Sequence, residues 1–376
     1  MSLDALIELS RFYGGNPEYV LAGGGNTSWK DGDTLYVKGS GFSLAEAAAA
    51  SFVKMDRKAL SLIWEKTYPQ SNEERESAVL ADMMTARKAG EEKKRPSVEA
   101  LLHDILPFAF VVHLHPALIN GLLCSQRGEE IAKKTFNEGM IWIPSTNPGY
   151  ILSALVKKEM GAYYEKHGKF APVILLQNHG VFVGADSADD VKKLYDQMMA
   201  KIGAMVTRKP DFSDETRTAA VDVNDVGVIA PTLTGLEGVV AFATGGEISE
   251  FIKDRDSFYP VSSAFTPDHI VYSGSDPLFV EVQTEGGLPR VWENHVKKTG
   301  RNPKVVAIQS LGVFGVGANE KAANLALDLF RDTIKVAVYS QAFGGPLFMT
   351  ADKIDFINNW EVERFRSSVS TKQEKV

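Results

Sequence analysis

Hydrophobic positions along the chain switch between helical and extended spacing. Leu3, Leu6, Ile7 and Leu9 recur at helical intervals and predict a short amphipathic helix from Leu3 to Tyr13. Gly14-Gly15-Asn16-Pro17 ends it. Alternation begins at Trp29-Lys30 and resumes from Thr34 to Lys38, with Asp31-Gly32-Asp33 between them, which predicts a hairpin. Ala45 to Ala50 predicts a short helix, Phe52 to Met55 a strand, and Glu73 to Lys88 a helix. Another helix is expected from Val98 to Leu106, with Ser97 as its N-cap and Pro107 as its stop. Phe110-Val-Val-His113-Leu-His115-Pro116 reads as the end of a buried strand, followed by an apolar helix from Leu118 to Cys124. Ile141 to Ile143 is a further strand end, and Tyr150 to about Lys166 a helix. Val173 to Gln177 is a fully apolar strand that delivers Asn178-His179-Gly180, and the helix from Ser187 to about Arg208 follows.

From Lys209 the pattern loses its period, so residues 209–235 are expected to link a first domain, 1–208, to a second, 236–376. The second domain opens on a strand from Val239 to Ala243. Later come a strand from Lys304 to Gln309, a long amphipathic helix from Asn319 to about Ser340, and a helix from Ile354 to Phe365. The tail after Ser367 is expected to fray. Ile174-Leu-Leu-Gln-Asn-His179-Gly-Val-Phe182 aligns with Val306-Ala-Ile-Gln-Ser-Leu311-Gly-Val-Phe314, each running on into a long helix. Leu35 to Gly41 resembles Ile270 to Asp276 more weakly. The second domain is therefore expected to be a degenerate copy without a metal site, with Leu311 as a packing residue. Asp268 and His269 read as a turn with a satisfied surface pair.

Two histidines at i and i+2 of a strand project to one face, about 6.7 Å apart at Cα. Both can reach an ion at about 2.1 Å; two hydrogen-bonded histidines would leave the same trace. Glu99 and Asn178-His179-Gly180 add a carboxylate and a third imidazole, each at the end of its own element. Three neutral imidazoles are a sufficient set for a catalytic zinc with an open position, and another divalent transition metal would also fit. The glycine-rich turns Gly23-Gly24-Gly25-Asn26-Thr27 and Lys38-Gly39-Ser40-Gly41 can present N–H groups to an anion. Neither is followed by a helix as a nucleotide loop requires.

A formal net charge of −7 argues against a nucleic-acid partner. The one cysteine, Cys124, excludes an intrachain disulfide, and no apolar run has the length of a membrane span. A cytoplasmic enzyme or binding protein is expected.

The ordered set Gly-Gly-Asn26-Thr-Ser, Lys-Gly-Ser-Gly41, Pro-Ser97-Val-Glu99, His113-x-His115-Pro and Asn-His179-Gly resembles the class II aldolase/adducin family. The rest of the chain is similar to the aldolase half of longer proteins that join such a region to a short-chain dehydrogenase. The resemblance implies an α/β/α sandwich around a mixed sheet, followed by a smaller α/β domain. It implies His113, His115 and His179 as metal ligands, Glu99 as acid/base, and Asn26, Thr27, Ser40, Gly41 and Ser97 at the phosphate end of a sugar phosphate. Lys38 would add charge there, since Val98 stands where smaller relatives often have a second serine. The activity implied is zinc-dependent cleavage of a ketose 1-phosphate to dihydroxyacetone phosphate and an aldehyde through a metal-stabilised enediolate, in a homo-oligomer. Epimerisation, dehydration or decarboxylation on the same centre, or a non-catalytic interaction module, are the alternatives.

Overall fold

A computed structural model describes residues 2–219, 221–222, 238–284 and 286–362. The chain divides into two compact units: the first takes in 1–123 and 128–205, the second 124–127 and 206–376. No described helix is long and apolar enough to cross a membrane.

In the first unit, α1 (Leu3–Gly14) leads to the hairpin β1 (Asn26–Asp31) and β2 (Thr34–Lys38), then β3 (Phe52–Asp56). The hairpin closes at Asp31 opposite Thr34, with Gly32 at φ +52°. That left-handed backbone is what the Asp-Gly turn needs. The helices α2 (Arg57–Leu62), α3 (Asn72–Thr85) and α4 (Ala100–Ile105) precede β4 (Phe110–Leu114). Then follow α5 (Ala117–Leu123), α6 (Gly128–Phe136), β5 (Met140–Ile143), α7 (Tyr150–His167), β6 (Val173–Leu176), β7 (Gly180–Ala185) and α8 (Ala188–Gly203). Among the described residues the strands form one seven-stranded mixed sheet in the order β3-β2-β1-β4-β7-β6-β5. One apolar cluster joins β4, β5 and β6 to α7 through Val111, Ile143, Ile174 and Val156. Another joins β2 and β3 to α3 and α4 through Val37, Val53, Val79 and Leu101. Fully burying each such side chain stabilises by about 1.5–3 kcal/mol.

Two expected helices differ. Ala45 to Ala48 is turn and coil, and only Ala49–Ser51 makes a 3₁₀ turn. An alanine run has helical propensity but no apolar stripe to dock. The helix before β4 starts at Ala100 rather than Val98, and Glu99 is its N-cap, at φ −90° and ψ 10°. Ser97 Oγ accepts from the Glu99 N–H at 3.2 Å, so the serine closes the turn ahead of the helix.

The second unit carries β8 (Thr216–Arg217) and β9 (Val221–Asp222), then β10 (Val239–Thr244), α9 (Gly246–Phe251), α10 (Arg255–Phe258) and α11 (Pro267–Tyr272). It continues with β11 (Leu278–Val280), α12 (Gly287–Thr299), β12 (Val305–Ile308), β13 (Gly312–Gly317), α13 (Glu320–Ser340) and α14 (Ala351–Asn359). The stretch expected as linker thus supplies two short strands to this sheet. Its residues 220 and 223–235 lie outside the described ones, as do 363–365 and the expected frayed tail. The last helix ends before Trp360, earlier than expected.

The sheet order β11-β12-β13-β10-β8 repeats β5-β6-β7-β4-β1 strand for strand, each opening on a parallel pair. Asn178 and Ser310 hold the two equivalent turns at φ +56° and +58°. The two sheets share this strand order, and the positions that match the histidines are filled differently. His113 faces Phe182 across β4 and β7, and Phe242 faces Phe314 across β10 and β13. A Cβ on Gly312 would meet the Phe242 ring at 2.4 Å, so that ring fills the space an imidazole takes in the first unit.

Three expectations fall here. Leu311 is 44% exposed and does not pack, although the left-handed turn ahead of it matches the one before the buried His179. Leu311→Ala is therefore expected to move the urea midpoint by less than about 0.5 kcal/mol equivalent. A loss above about 2 kcal/mol, the lower end for truncating a buried leucine, would mean that the residue packs after all. The weaker repeat does not hold, since Leu35 lies in a strand and Ile270 in a helix. His269 is buried, and its partner is Asp332 at 3.1 Å, with Thr266 Oγ1 3.3 Å from its Nδ1. It is a satisfied core group.

Candidate metal centre

β4 ends at Leu114, so His113 sits on the strand and His115 just beyond it. The β6–β7 turn brings His179 to the same place. Nitrogens of His113, His115 and His179 lie within 4.8 Å of one another, and the Nε2 atoms of His113 and His115 are 2.8 Å apart. Slight side-chain rotation lets all three reach one ion at about 2.1 Å. Gly180 is required for this approach. A Cβ there would meet His115 Cδ2 at 2.4 Å and the Leu114 carbonyl oxygen at 2.6 Å.

His113 is fully buried and stacked on Phe182, with ring centroids 4.1 Å apart. Its Nδ1 donates to the Val181 carbonyl at 3.1 Å, which leaves Nε2 as the bare nitrogen. Burial, and after it the neighbouring imidazoles, hold its pKa well below the ordinary value. Neutral imidazole is the form that ligates, so the donor set fits a divalent transition metal.

Glu99 reaches the cluster from the start of α4. Its Oε1 is 3.5 Å from His113 Nε2 and 3.6 Å from His179 Nε2. Asn26 Nδ2 donates to Oε2 at 2.6 Å. The side-chain carbonyl oxygen of Asn26 in turn accepts from His103 Nε2, and His103 Nδ1 lies 2.7 Å from Ser28 Oγ. Ser28, His103 and Asn26 thus form a buried chain that fixes one oxygen of Glu99 and leaves the other facing the imidazoles. His103 and Ser28 went unnoticed in the sequence. The signal was present: His103 stands four residues after Glu99, and Ser28 two after Asn26 on one face of a strand.

The chain also redistributes the expected anion ligands. Asn26 is committed to Glu99 and His103. Thr27 points to the opposite face of β1, is fully buried, and shares a 2.7 Å hydrogen bond with Ser10 Oγ, so it does not line a phosphate site. Lys38, Ser40, Gly41 and Ser97 do come together. The Ser97 N–H donates to the Lys38 carbonyl at 3.1 Å, the Ser40 N–H to the Arg95 carbonyl at 2.8 Å, and Gly39 bridges to Pro96. Lys38 and Ser97 are buried, Ser40 is half-buried and Gly41 is exposed. Ser97 stands two positions before Glu99, so this rim adjoins the imidazole cluster.

Burial, then the charges of Lys30 and Lys38, also holds His103 well below its ordinary pKa, so the folded chain keeps it neutral. The unfolded chain protonates it as pH falls through about 6.5. The unfolded state then binds more protons, and stability falls with falling pH. The urea midpoint of metal-free protein should hold between about pH 7.5 and 7 and drop below about pH 6.5. His103→Gln should flatten that drop in part, because His113 is lowered as well. A midpoint unchanged down to about pH 5.5 would contradict this account.

Known proteins resemble the chain at two levels, in sequence and in fold. A Bacillus subtilis (strain 168) protein described as the uncharacterized oxidoreductase YuxG is 22% identical over 417 positions, which cover 98% of this chain. The chain spans 58% of that relative's length. An N-terminal class II aldolase domain of a conserved Thermoplasma acidophilum protein is 24% identical, with a TM-score of 0.45 over 54% of this chain and 93% of that one. L-fuculose-1-phosphate aldolase from Thermus thermophilus is 14% identical, with a TM-score of 0.34 over 54% of this chain and 92% of its own. The family model for the class II aldolase and adducin N-terminal domain matches residues 4–200, more than half of the 376. The chain belongs to the class II aldolase and adducin family.

Proposed function

We propose that the first unit is a metal-dependent aldolase that cleaves a ketose 1-phosphate into dihydroxyacetone phosphate and an aldehyde. The observation that carries this reading is Glu99. One of its oxygens is held by Asn26, and the other is 3.5–3.6 Å from two imidazoles of a three-histidine cluster. Zinc held by His113, His115 and His179 would supply Lewis-acid polarisation of the substrate's carbonyl oxygen. In the cleavage direction the hydroxyl beside the breaking bond loses its proton to Glu99. The electron pair of the bond stays on the carbon next to the carbonyl, and Glu99 returns a proton to that carbon. Asn26 keeps the carboxylate aimed while the proton moves. Lys38, Ser40, Gly41 and Ser97 would hold the phosphate, with the lysine supplying charge and the serine hydroxyls and the Gly41 N–H the donors, since the N–H groups of Ser40 and Ser97 are spent on the Arg95 and Lys38 carbonyls.

The test is elemental analysis of the purified chain followed by a panel of ketose 1-phosphates, with dihydroxyacetone phosphate as the measured product. Epimerised product or released carbon dioxide in place of that product would replace the aldolase reading with another reaction on the same centre. Ser40→Ala is expected to raise KM for the phosphorylated ketose about tenfold, the loss of roughly one hydrogen bond to a charged group. KM for the unphosphorylated ketose should change little. Equal effects on both would remove the turn from the phosphate site.

A further inference from the structure

Within the second unit a cavity of about 360 Å³ opens at the end of the sheet where β12 begins. That is the end away from the Gln309–Leu311 turn, so the cavity is not the remnant of a metal centre. Its lining includes the apolar Ile270 and Ile357 and groups of both charges.

Part of the lining is cationic. Lys304 is half-buried, and its Nζ donates to the Val271 carbonyl, which leaves two N–H groups. Arg301 stands beside it, exposed, with one N–H donating to Asn359 Oδ1 at 3.5 Å. Among the described residues neither cation has a carboxylate within 4.0 Å. Burial, and after it the charge of Arg301, pushes Lys304 down to about 8, and no acid offsets the pair. Asn358 lines the same cavity, and its Nδ2 is buried without a hydrogen-bond partner among the described residues. Two neighbouring cations without a carboxylate, each with N–H groups to spare, and an unanswered amide donor, in a chain of net charge −7, are what an anion would satisfy. Asp276 and His295, also in the lining, are suited to hydroxyls. Asp276 accepts from Ser275 Oγ at 2.6 Å and keeps a second oxygen, and burial lowers the pKa of His295, so it stands ready as a neutral donor or acceptor.

We propose that this cavity is a second ligand site, for a small phosphate monoester of a polyol. The phosphate would lie against Arg301, Lys304 and Asn358, and the hydroxyls against Asp276 and His295. The volume falls within the range of small-molecule pockets. The cation pair calls for a dianion.

The test is calorimetric titration of the full chain with inorganic phosphate, against Arg301→Gln, Arg301→Lys and Lys304→Met. Arg301→Gln is expected to weaken one phosphate-binding event at least tenfold, Lys304→Met to abolish it, and Arg301→Lys to restore most of it. Any phosphate taken up by the first unit is common to all four proteins, so the difference isolates this cavity. Lys304 also holds the Val271 carbonyl, so Arg301→Gln decides the matter if Lys304→Met unfolds early. Identical isotherms for wild type and Arg301→Gln would overturn the site. Malonate competing as well as phosphate would overturn its assignment to a phosphate monoester. All variants lie in the second unit, so their failure leaves the reading of the first unit untouched.

Discussion

Glu99→Gln is expected to keep bound metal and lose activity by a factor of about 10² to 10⁴, the usual worth of a general acid/base group. The amide has the same size and still meets Asn26, whose Nδ2 sits 2.6 Å from Oε2 in the wild type. It cannot accept or return a proton. The three histidines keep their geometry, since Glu99 faces their Nε2 atoms from 3.5 and 3.6 Å without bridging their backbones. Steady-state cleavage of the ketose 1-phosphate, with metal content measured on the same sample, checks both halves. Turnover within a few-fold of wild type would reduce Glu99 to the N-cap of α4. Asn26→Ala should fall between the two. As a positioning residue it should shift the acid limb of the kcat profile, a readout that a simple packing defect would leave in place.

That last point inverts what the glycine-rich turn suggested in the sequence. Asn26 follows three glycines, and such turns hold anions often enough to make phosphate the natural reading. Its real partner is 73 residues away and is set by two pairings. β1 lies antiparallel to β4 with Asn26 opposite His113, and α4 docks across β1. Nothing local to the turn records either. Thr27 lies away from Asn26 for a simpler reason. Alternation along β1 puts Asn26 and Ser28 on one face and Thr27 on the other, but a glycine run ahead of the strand hides the phase of that alternation.

The imidazole cluster was legible because strand and turn chemistry are local. His113-Leu-His115-Pro116 declares a strand end, and Asn178-His179-Gly180 declares a left-handed turn with room for close approach. The shared strand order of the second unit was legible as a sequence pattern, while the placement of its residues was not. Leu311 is apolar and follows an apolar strand, yet it is 44% exposed where His179, after the matching turn, is buried. Phe242, which fills the vacated space, carries no mark in the sequence beyond being one more apolar residue in a strand.

The three ligand substitutions are expected to separate in stability although all of them abolish metal retention. His113 is fully buried, stacked on Phe182 and hydrogen-bonded to Val181. His113→Ala removes a ring from the sheet core and should cost about 3 kcal/mol, at the lower end of the aromatic-to-alanine range. The Val181 carbonyl is not orphaned, because Tyr195 also donates to it at 3.3 Å, which keeps the cost from rising further. His179 lies at the 8% exposed rim of the cluster, and its turn is closed by a backbone bond from its N–H to the Leu176 carbonyl at 3.2 Å, which survives truncation. His179→Ala should therefore cost about 1 kcal/mol or less. Urea unfolding of the metal-free proteins reads the difference directly, and elemental analysis of the same preparations reads the metal. Equal stabilities for the two variants would mean that His113 is not the core residue described, and normal metal content in either would remove that histidine from the ligand set.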